Sequence, residues 1–192
     1  MANHRTIKQV FIVLLVWVLA GLDAPASAKT SLGKYGGWEA FIEQENGNPT
    51  CYMGAVPNKS DVGYPVRGRT FMLITHRPAE KSKNVISLQA GYTYKKKSKV
   101  KLIIDQSSFK LFTDKRWAFA DDAATDNKLV RSMIRGAALI VRGVSSHGMK
   151  TTDTYSLKGF TAAHNAISKA CKTQAASSTI PQRVEQTSAP KP

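Results

Sequence analysis

The alternation of apolar and polar residues predicts short β-strands over most of the chain between Trp38 and Ser156. In Val100–Asp105, apolar residues at every second position predict one buried face and one face that carries Lys101 and Asp105. The same strand character is found in Trp38–Gln44, Thr50–Val56, Arg69–His76, Val85–Ala90, Ser108–Phe112, Arg116–Ala120 and Ala137–Val144. Turn residues separate these short segments, and Asn58–Gly68 is predicted to be a polar loop. We therefore predict a mainly β fold, an antiparallel β-sandwich or barrel-like domain.

Two segments change to the helical period. In Asp122–Arg135 one helical face carries apolar residues at Leu129, Val130, Met133 and Ile134, and Gly136 is expected to end this helix. In Thr161–Lys172 the apolar spacing predicts a C-terminal helix whose buried side includes Ala163, Ile167 and Cys171. The β-domain is thus predicted to carry one short internal helix and one C-terminal helix.

The N-terminus has the order of features that is typical of a secretory signal peptide. Arg5 and Lys8 precede the apolar run Val10–Leu22, and small residues follow in Pro25–Ala28. We predict that residues 1–28 are a signal peptide cleaved after Ala28, since the run is shorter than the ~20 residues that span a bilayer. The protein is then expected to be exported through the general secretory route to the periplasm or the medium, with no transmembrane span after cleavage.

The two cysteines, Cys51 and Cys171, are predicted to form one disulfide, because an even pair in an oxidising compartment is most simply bridged. Two free buried thiols and a redox dithiol are the alternatives, although redox pairs usually have the Cys-x-x-Cys spacing. A bridge would clamp the C-terminal helix to the strand that holds Cys51 and would stabilise the fold by about 4–5 kcal/mol in the chain-entropy model.

The composition divides the rest of the chain into a domain and a tail. Residues 29–172 are long enough for a single domain with its own core. From Thr173 to Pro192 the sequence consists mainly of Gln, Ala, Ser, Thr and Pro and lacks apolar periodicity. This composition predicts a disordered C-terminal tail over 173–192.

Several sequence features together resemble one known family. Gly37-Trp38 opens the domain, Cys51 follows early, Met133–Gly136 follows the β-rich stretch, and Thr154–Ala163 precedes Cys171. The Ser-Leu-Lys-Gly-Phe-Thr-Ala-Ala segment is the most specific of these features. The chain resembles the invasion-associated locus B family of exported alphaproteobacterial envelope proteins, as a shorter branch with two cysteines. The resemblance implies an exported, compact, mostly β protein without an established catalytic activity, acting as an interaction or accessory virulence or envelope factor.

The sequence carries no motif that indicates catalysis, a cofactor or a metal site. His76, His147 and His164 are too far apart for a local metal motif. The Ser145–Gly148 segment around His147 is typical of a hairpin turn, and His164 is expected to pack on its helix. Asp121 and Asp122 precede a predicted helix, where capping is the expected role of such carboxylates. We therefore predict no catalytic residues and no enzymatic activity, while a hydrolase site assembled from distant residues is the least favoured alternative.

The basic residues are the strongest functional signal. The chain has a formal net charge of +15, and a lysine-rich stretch contains Lys95, Lys96, Lys97, Lys99 and Lys101. This stretch is the candidate surface for anionic envelope or host-surface polymers or for a protein partner. Nucleic acid is not expected as a partner of an exported protein, although Tyr92 and Tyr94 could stack on bases. The alternatives are a solvated hairpin tip whose charge only keeps the protein soluble, and a periplasmic structural or stress-tolerance factor with incidental charge.

Overall fold

The computed structural model describes residues 29–62 and 67–178 of the chain. The predicted signal peptide, residues 1–28, lies outside the described residues together with its predicted cleavage site after Ala28. The part of the predicted tail that follows residue 178 also lies outside them.

The described residues form eleven β-strands that join into one antiparallel sheet. The strands are β1 (Thr30–Tyr35), β2 (Trp38–Glu45), β3 (Asn48–Ala55), β4 (Lys59–Val62), β5 (Phe71–Arg77), β6 (Ser82–Gln89), β7 (Lys99–Ile104), β8 (Ser107–Asp114), β9 (Trp117–Phe119), β10 (Ala138–Val144) and β11 (Lys150–Ser156). Their order across the sheet is β1-β2-β3-β5-β6-β9-β8-β7-β10-β11-β4. The prediction of a mainly β, antiparallel domain is confirmed.

The sheet curls until strands near its two edges meet around the core. Trp38, on β2, donates its indole N–H to the carbonyl oxygen of Ser156 at the end of β11, at 2.9 Å. The Trp38 side chain is fully buried and packs edge-on against Phe160, with 4.9 Å between the ring centroids. The inner face of the sheet therefore encloses the core, as in the barrel-like alternative of the prediction.

A buried ion pair joins β11 to the segments that precede β5 and follow β6. Arg67 contacts both carboxylate oxygens of Asp153 on β11, at 2.8 and 2.7 Å, and it also donates to the carbonyl oxygen of Ala90 after β6. Ser60 on β4 donates to the same carboxylate at 2.6 Å. Because both charges are satisfied by several hydrogen bonds, the cost of removing them from water is offset.

Helix α1 (Ala123–Arg135) begins and ends where the sequence predicted. The Asp122 carboxylate accepts a hydrogen bond from the backbone N–H of Thr125, and the Gly136 N–H closes the last turn. Ile134, however, was predicted to be buried and is 38% exposed. The buried stripe begins one turn earlier than expected and runs through Asp126, Leu129, Val130 and Met133, at the spacing i, i+3, i+4 and i+7, which leaves Ile134 beyond its edge.

Helix α2 (Phe160–Ser178) packs against β1, β2, β3 and β5. Ala163, Ile167 and Cys171 face the core, as predicted. The helix continues past Lys172, so its last turns fall within the segment that was predicted to be tail.

Strand β4 corrects one prediction. Lys59–Val62 lies in the segment Asn58–Gly68 that was predicted to be a loop, but it pairs with β11 at the edge of the sheet. Its polar sequence gives no apolar alternation because its inward-facing Ser60 meets a carboxylate instead of the apolar core. The predicted turn around His147 is confirmed, since Ser145 and Met149 close the hairpin between β10 and β11.

Candidate functional site: a basic and aromatic outer face

The lysine-rich stretch lies on a connection between two strands that are not neighbours in the sheet. Lys95, Lys96 and Lys97 are exposed on the segment that leads from β6 to β7. This segment is anchored by backbone hydrogen bonds from Tyr94 to Lys115 and from Lys95 to Val144. The three lysines therefore do not form the tip of a hairpin, but a fixed basic projection beside the β8–β9 turn.

Tyr92 and Tyr94 cannot stack on a partner, which corrects their suggested role. Both side chains are buried, 6% and 4% exposed, and their rings contact each other edge-on at 5.2 Å. Tyr92 shares a hydrogen bond with the Thr151 hydroxyl, and burial raises the pKa of Tyr94 far above its ordinary value. The two tyrosines face the core because the segment turns inward before it reaches the lysines.

Lys99 and Lys101 lie on the outer face of β7, and Lys101 has cationic neighbours on both sides. It is paired in register with Lys110 on β8 and with Arg142 on β10, and all three side chains are exposed. We call these three residues the basic row. Within the described residues no carboxylate lies within ion-pair distance of any of them. Like charges in directly paired positions are unfavourable, so this row lowers the stability of the isolated sheet.

Next to the basic row, the outer face carries four aromatic rings from three strands. Phe71 contacts Trp117 edge-on at 5.6 Å, Trp117 is stacked with Phe119 at 6.2 Å, and Phe119 lies 5.7 Å from Phe112. We call these four residues the aromatic row. They point away from the core, since Ala118, between Trp117 and Phe119, is the fully buried residue of β9. A contiguous aromatic surface on the solvent side is typical of an interaction site.

Cations surround the aromatic row. A shallow cavity of about 380 Å³ is lined by Arg69, Phe71, Gln89 and Arg116. Neither arginine has an ion-pair partner among the described residues. At the other end of the row, Lys99 lies 5.9 Å from the centre of the Phe112 ring.

Two carboxylates adjoin this surface. The Lys99 amine pairs with Asp121 at 3.2 Å. Asp114 lies opposite Trp117 in the β8–β9 register. Among the charges next to the aromatic row, the two arginines at its Phe71 end therefore have no ion-pair partner among the described residues, whereas Lys99 at the other end has one.

The disulfide predicted from the sequence is present between Cys51 on β3 and Cys171 on α2. Its Cα atoms lie 5.9 Å apart, and both residues are buried. It holds the C-terminal helix against the inner face of the sheet, on the side opposite to the aromatic row. The bridge therefore belongs to the scaffold of the site.

His76 and Ser168 come together beside the disulfide but are not arranged as a base and a nucleophile. The His76 Nδ1 atom accepts a hydrogen bond from the backbone N–H of Asn84 at 3.0 Å, so the neutral ring carries its proton on Nε2. That Nε2–H donates to the Ser168 hydroxyl at 3.1 Å, and it cannot at the same time remove the hydroxyl proton. Burial, together with the neighbouring His164, lowers the pKa of His76 to about 4, which keeps the ring neutral.

His164 takes part in a second buried contact of the same kind. It donates to the Asn84 side-chain oxygen at 2.8 Å, while the Asn84 amide donates to Asn127 on α1 at 2.7 Å. The rings of His164 and His76 meet edge-on at 5.4 Å. These bonds tie both helices to β5 and β6, so His164 has the packed role that the sequence predicted for it.

Asp126 is a buried carboxylate that the sequence analysis did not identify. It accepts a hydrogen bond from the backbone N–H of Ile86 at 3.0 Å, and burial raises its pKa to about 6. Its position in the helical stripe with Leu129 and Met133 was the available signal, since a charged residue there must face the sheet.

The described residues hold no group of three or more His, Cys, Asp or Glu side chains that could bind a metal ion. No helix among them is both long enough and apolar enough to cross a membrane.

Comparison with known proteins assigns the chain to a family. Residues 38–168, more than half of the chain, match the family described as Invasion associated locus B (IalB) protein. No curated protein and no solved structure matches the chain significantly. The matched region begins at Trp38, whose indole ties β2 to β11, and it contains both the basic row and the aromatic row. The chain therefore belongs to the Invasion associated locus B (IalB) family, as the resemblance in the sequence indicated.

Proposed function

We propose that this protein is a non-catalytic, exported envelope protein that binds anionic polymers or surfaces through its basic outer face. The observation that carries the proposal is the basic row, in which Lys101 lies between Lys110 and Arg142 with no carboxylate in range among the described residues. A sheet gains nothing from this arrangement when the protein is alone. A bound anion would remove the repulsion, and this relief adds to the affinity.

Lys95, Lys96 and Lys97 extend this surface. They project from an anchored connection. The hydrogen bond from the Tyr94 N–H to the Lys115 carbonyl, one residue before Lys95, places the three lysines next to the β8–β9 turn. A net charge of +15 also attracts anions from a distance. The protein would act as an accessory factor of the envelope or of virulence. Which of the two roles it has depends on the anionic polymers that are present where it resides.

The test compares two triple variants that lose the same charge. Lys95, Lys96 and Lys97 are changed to Gln in one variant, and exposed lysines elsewhere, Lys34, Lys59 and Lys128, are changed to Gln in the other. Binding to vesicles of acidic phospholipid and to heparin is measured from low to high ionic strength. We expect affinity to fall with salt, because screening acts over ~8 Å at physiological ionic strength, and to fall much further in the first variant.

Equal losses in the two variants would show that only the total charge matters. Absence of binding by the unmodified protein would refute the proposal and would favour a structural or stress-tolerance role with incidental charge. That alternative also predicts that the first variant fully restores the envelope of a deletion strain.

A further inference from the structure

We propose that the aromatic row is a binding platform for an acidic polysaccharide, that is, a glycan that carries carboxylate, sulfate or phosphate groups. The inference rests on the proposed function and names the class of anion that the outer face binds. It assigns the specific contacts to the aromatic row and the adjoining arginines instead of to the loop lysines.

The first argument is the shape of the surface. Phe71, Trp117, Phe119 and Phe112 form a continuous series in which each ring lies 5.6–6.2 Å from the next. Each step is comparable with the length of one pyranose unit, so successive sugars of an extended chain can contact successive rings. The ring faces carry partial negative charge, and they attract the C–H groups that cover one face of a sugar.

The second argument is the polar floor between the rings. Strand β6 runs between β5 and β9, and it places Gln89 between Phe71 and Trp117 in the register. Ser87 is likewise paired with Phe119 on the same face. An amide and a hydroxyl side chain between aromatic rings offer donors and acceptors for sugar hydroxyls, which a purely apolar protein interface does not need.

The third argument is charge complementarity. Arg69 and Arg116 line the cavity at the Phe71 end of the row, and neither has an ion-pair partner among the described residues. A guanidinium group forms paired hydrogen bonds with a carboxylate or phosphate, whereas an uncharged glycan would leave both arginines without partners. The platform therefore fits an anionic glycan better than a neutral one.

The position of the tryptophans allows a direct test. Trp38 is fully buried and Trp117 is partly exposed. The chain has one further tryptophan, Trp17, which is replaced by Phe in the purified protein. A change in fluorescence emission or in acrylamide quenching on ligand binding then reports on Trp117. The ligands are polygalacturonate and polyglutamate, which carry the same carboxylate group on a sugar and on a peptide backbone. A single-stranded oligonucleotide is the third ligand.

We expect polygalacturonate to change the emission of Trp117 and to protect it from quenching, and polyglutamate to bind without either effect. Phe71→Ala should weaken polygalacturonate binding about tenfold, the size of one lost stacking contact, and leave polyglutamate binding unchanged. The matched control is Ile134→Ala, because Ile134 is an exposed apolar side chain on α1, away from the row. Replacing Arg69 and Arg116 by Gln leaves the rings in place and should also weaken polygalacturonate binding.

The outcomes separate this inference from the proposed function. If both polymers bind and depend on Lys95–Lys97, but Phe71→Ala and the arginine variant bind polygalacturonate as well as the unmodified protein does, the platform is refuted and the general anion-binding role stands. If the oligonucleotide protects Trp117 and polygalacturonate does not, the glycan assignment is wrong. If neither polymer binds at low salt, both proposals fail.

Discussion

Asp126→Asn should stabilise the protein at neutral pH, although it alters a buried, hydrogen-bonded side chain. The carboxylate has a pKa of about 6 in the folded protein, against an ordinary value of 3.8, and burial is the main cause. At 1.36 kcal/mol per pH unit, keeping it ionised at pH 7 costs about 3 kcal/mol. Because Asn retains an oxygen that can accept from Ile86, we expect a gain of up to about 3 kcal/mol at pH 7.

The gain should depend on pH in a defined direction. The folded protein takes up a proton at Asp126 near pH 6, whereas the unfolded chain does so only near pH 4. Lowering the pH through this window therefore stabilises the unmodified protein relative to the variant, and the difference should approach zero near pH 4. The lowered pKa of His76 weakens folding in the same window, but it acts on both proteins and cancels in the comparison.

Urea unfolding followed by tryptophan fluorescence, from pH 4 to pH 7, measures this difference. Asp121→Asn is the control, since this exposed carboxylate pairs with Lys99 at the surface, and its loss should change the stability by less than about 1 kcal/mol. A variant at Asp126 that is less stable than the unmodified protein at pH 7, or a difference that does not change with pH, would contradict the reasoning.

Three further predictions concern the scaffold. Asp153→Asn should destabilise the fold by about 3–5 kcal/mol, because it leaves Arg67 buried without its counter-charge; a double variant with Arg67→Met should recover part of the loss in the same urea assay. Changing Cys51 and Cys171 to Ala should lower the unfolding free energy by about 4 kcal/mol, and mass analysis of the unmodified protein under non-reducing conditions should find no free thiol. Gly159→Ala should lower the melting temperature strongly, since this residue has φ +88° and an added Cβ would meet the backbone of Tyr35; Gly47→Ala, also at positive φ but with open space around it, should cost less.

The sequence predicted those elements whose side chains separate cleanly into apolar and polar faces. Strand β7 has Val100, Leu102 and Ile104 inside, and α1 has a capping Asp122 and a terminating Gly136. Strands β4 and β11 were not predicted because their inward positions are polar. On β11 these positions are Thr151, Asp153 and Tyr155, and the first two have hydrogen-bond partners in distant parts of the chain that no local pattern reveals.

The candidate site was predicted only in part for a related reason. The lysines from Lys95 to Lys101 are adjacent in sequence and were recognised from it. The aromatic row is assembled by the order of the strands, which places β5 and β9 on either side of β6, and this order cannot be read from spacing. One local signal was present, because Trp117-Ala118-Phe119 alternates two large rings with one small residue, which is the pattern of a strand that turns its rings away from the core.

The position of β4 at the edge of the sheet determines when the fold can be completed. Its pairing partner is β11, which lies near the far end of the domain in sequence, while β3 and β5, its neighbours along the chain, pair with each other. During synthesis, Lys59–Val62 therefore has no native partner until Thr151–Thr154 has been made, and the Trp38 indole has none until Ser156 has been made. Such non-local pairings slow folding, so the newly made chain stays unfolded for longer than a protein built from local hairpins.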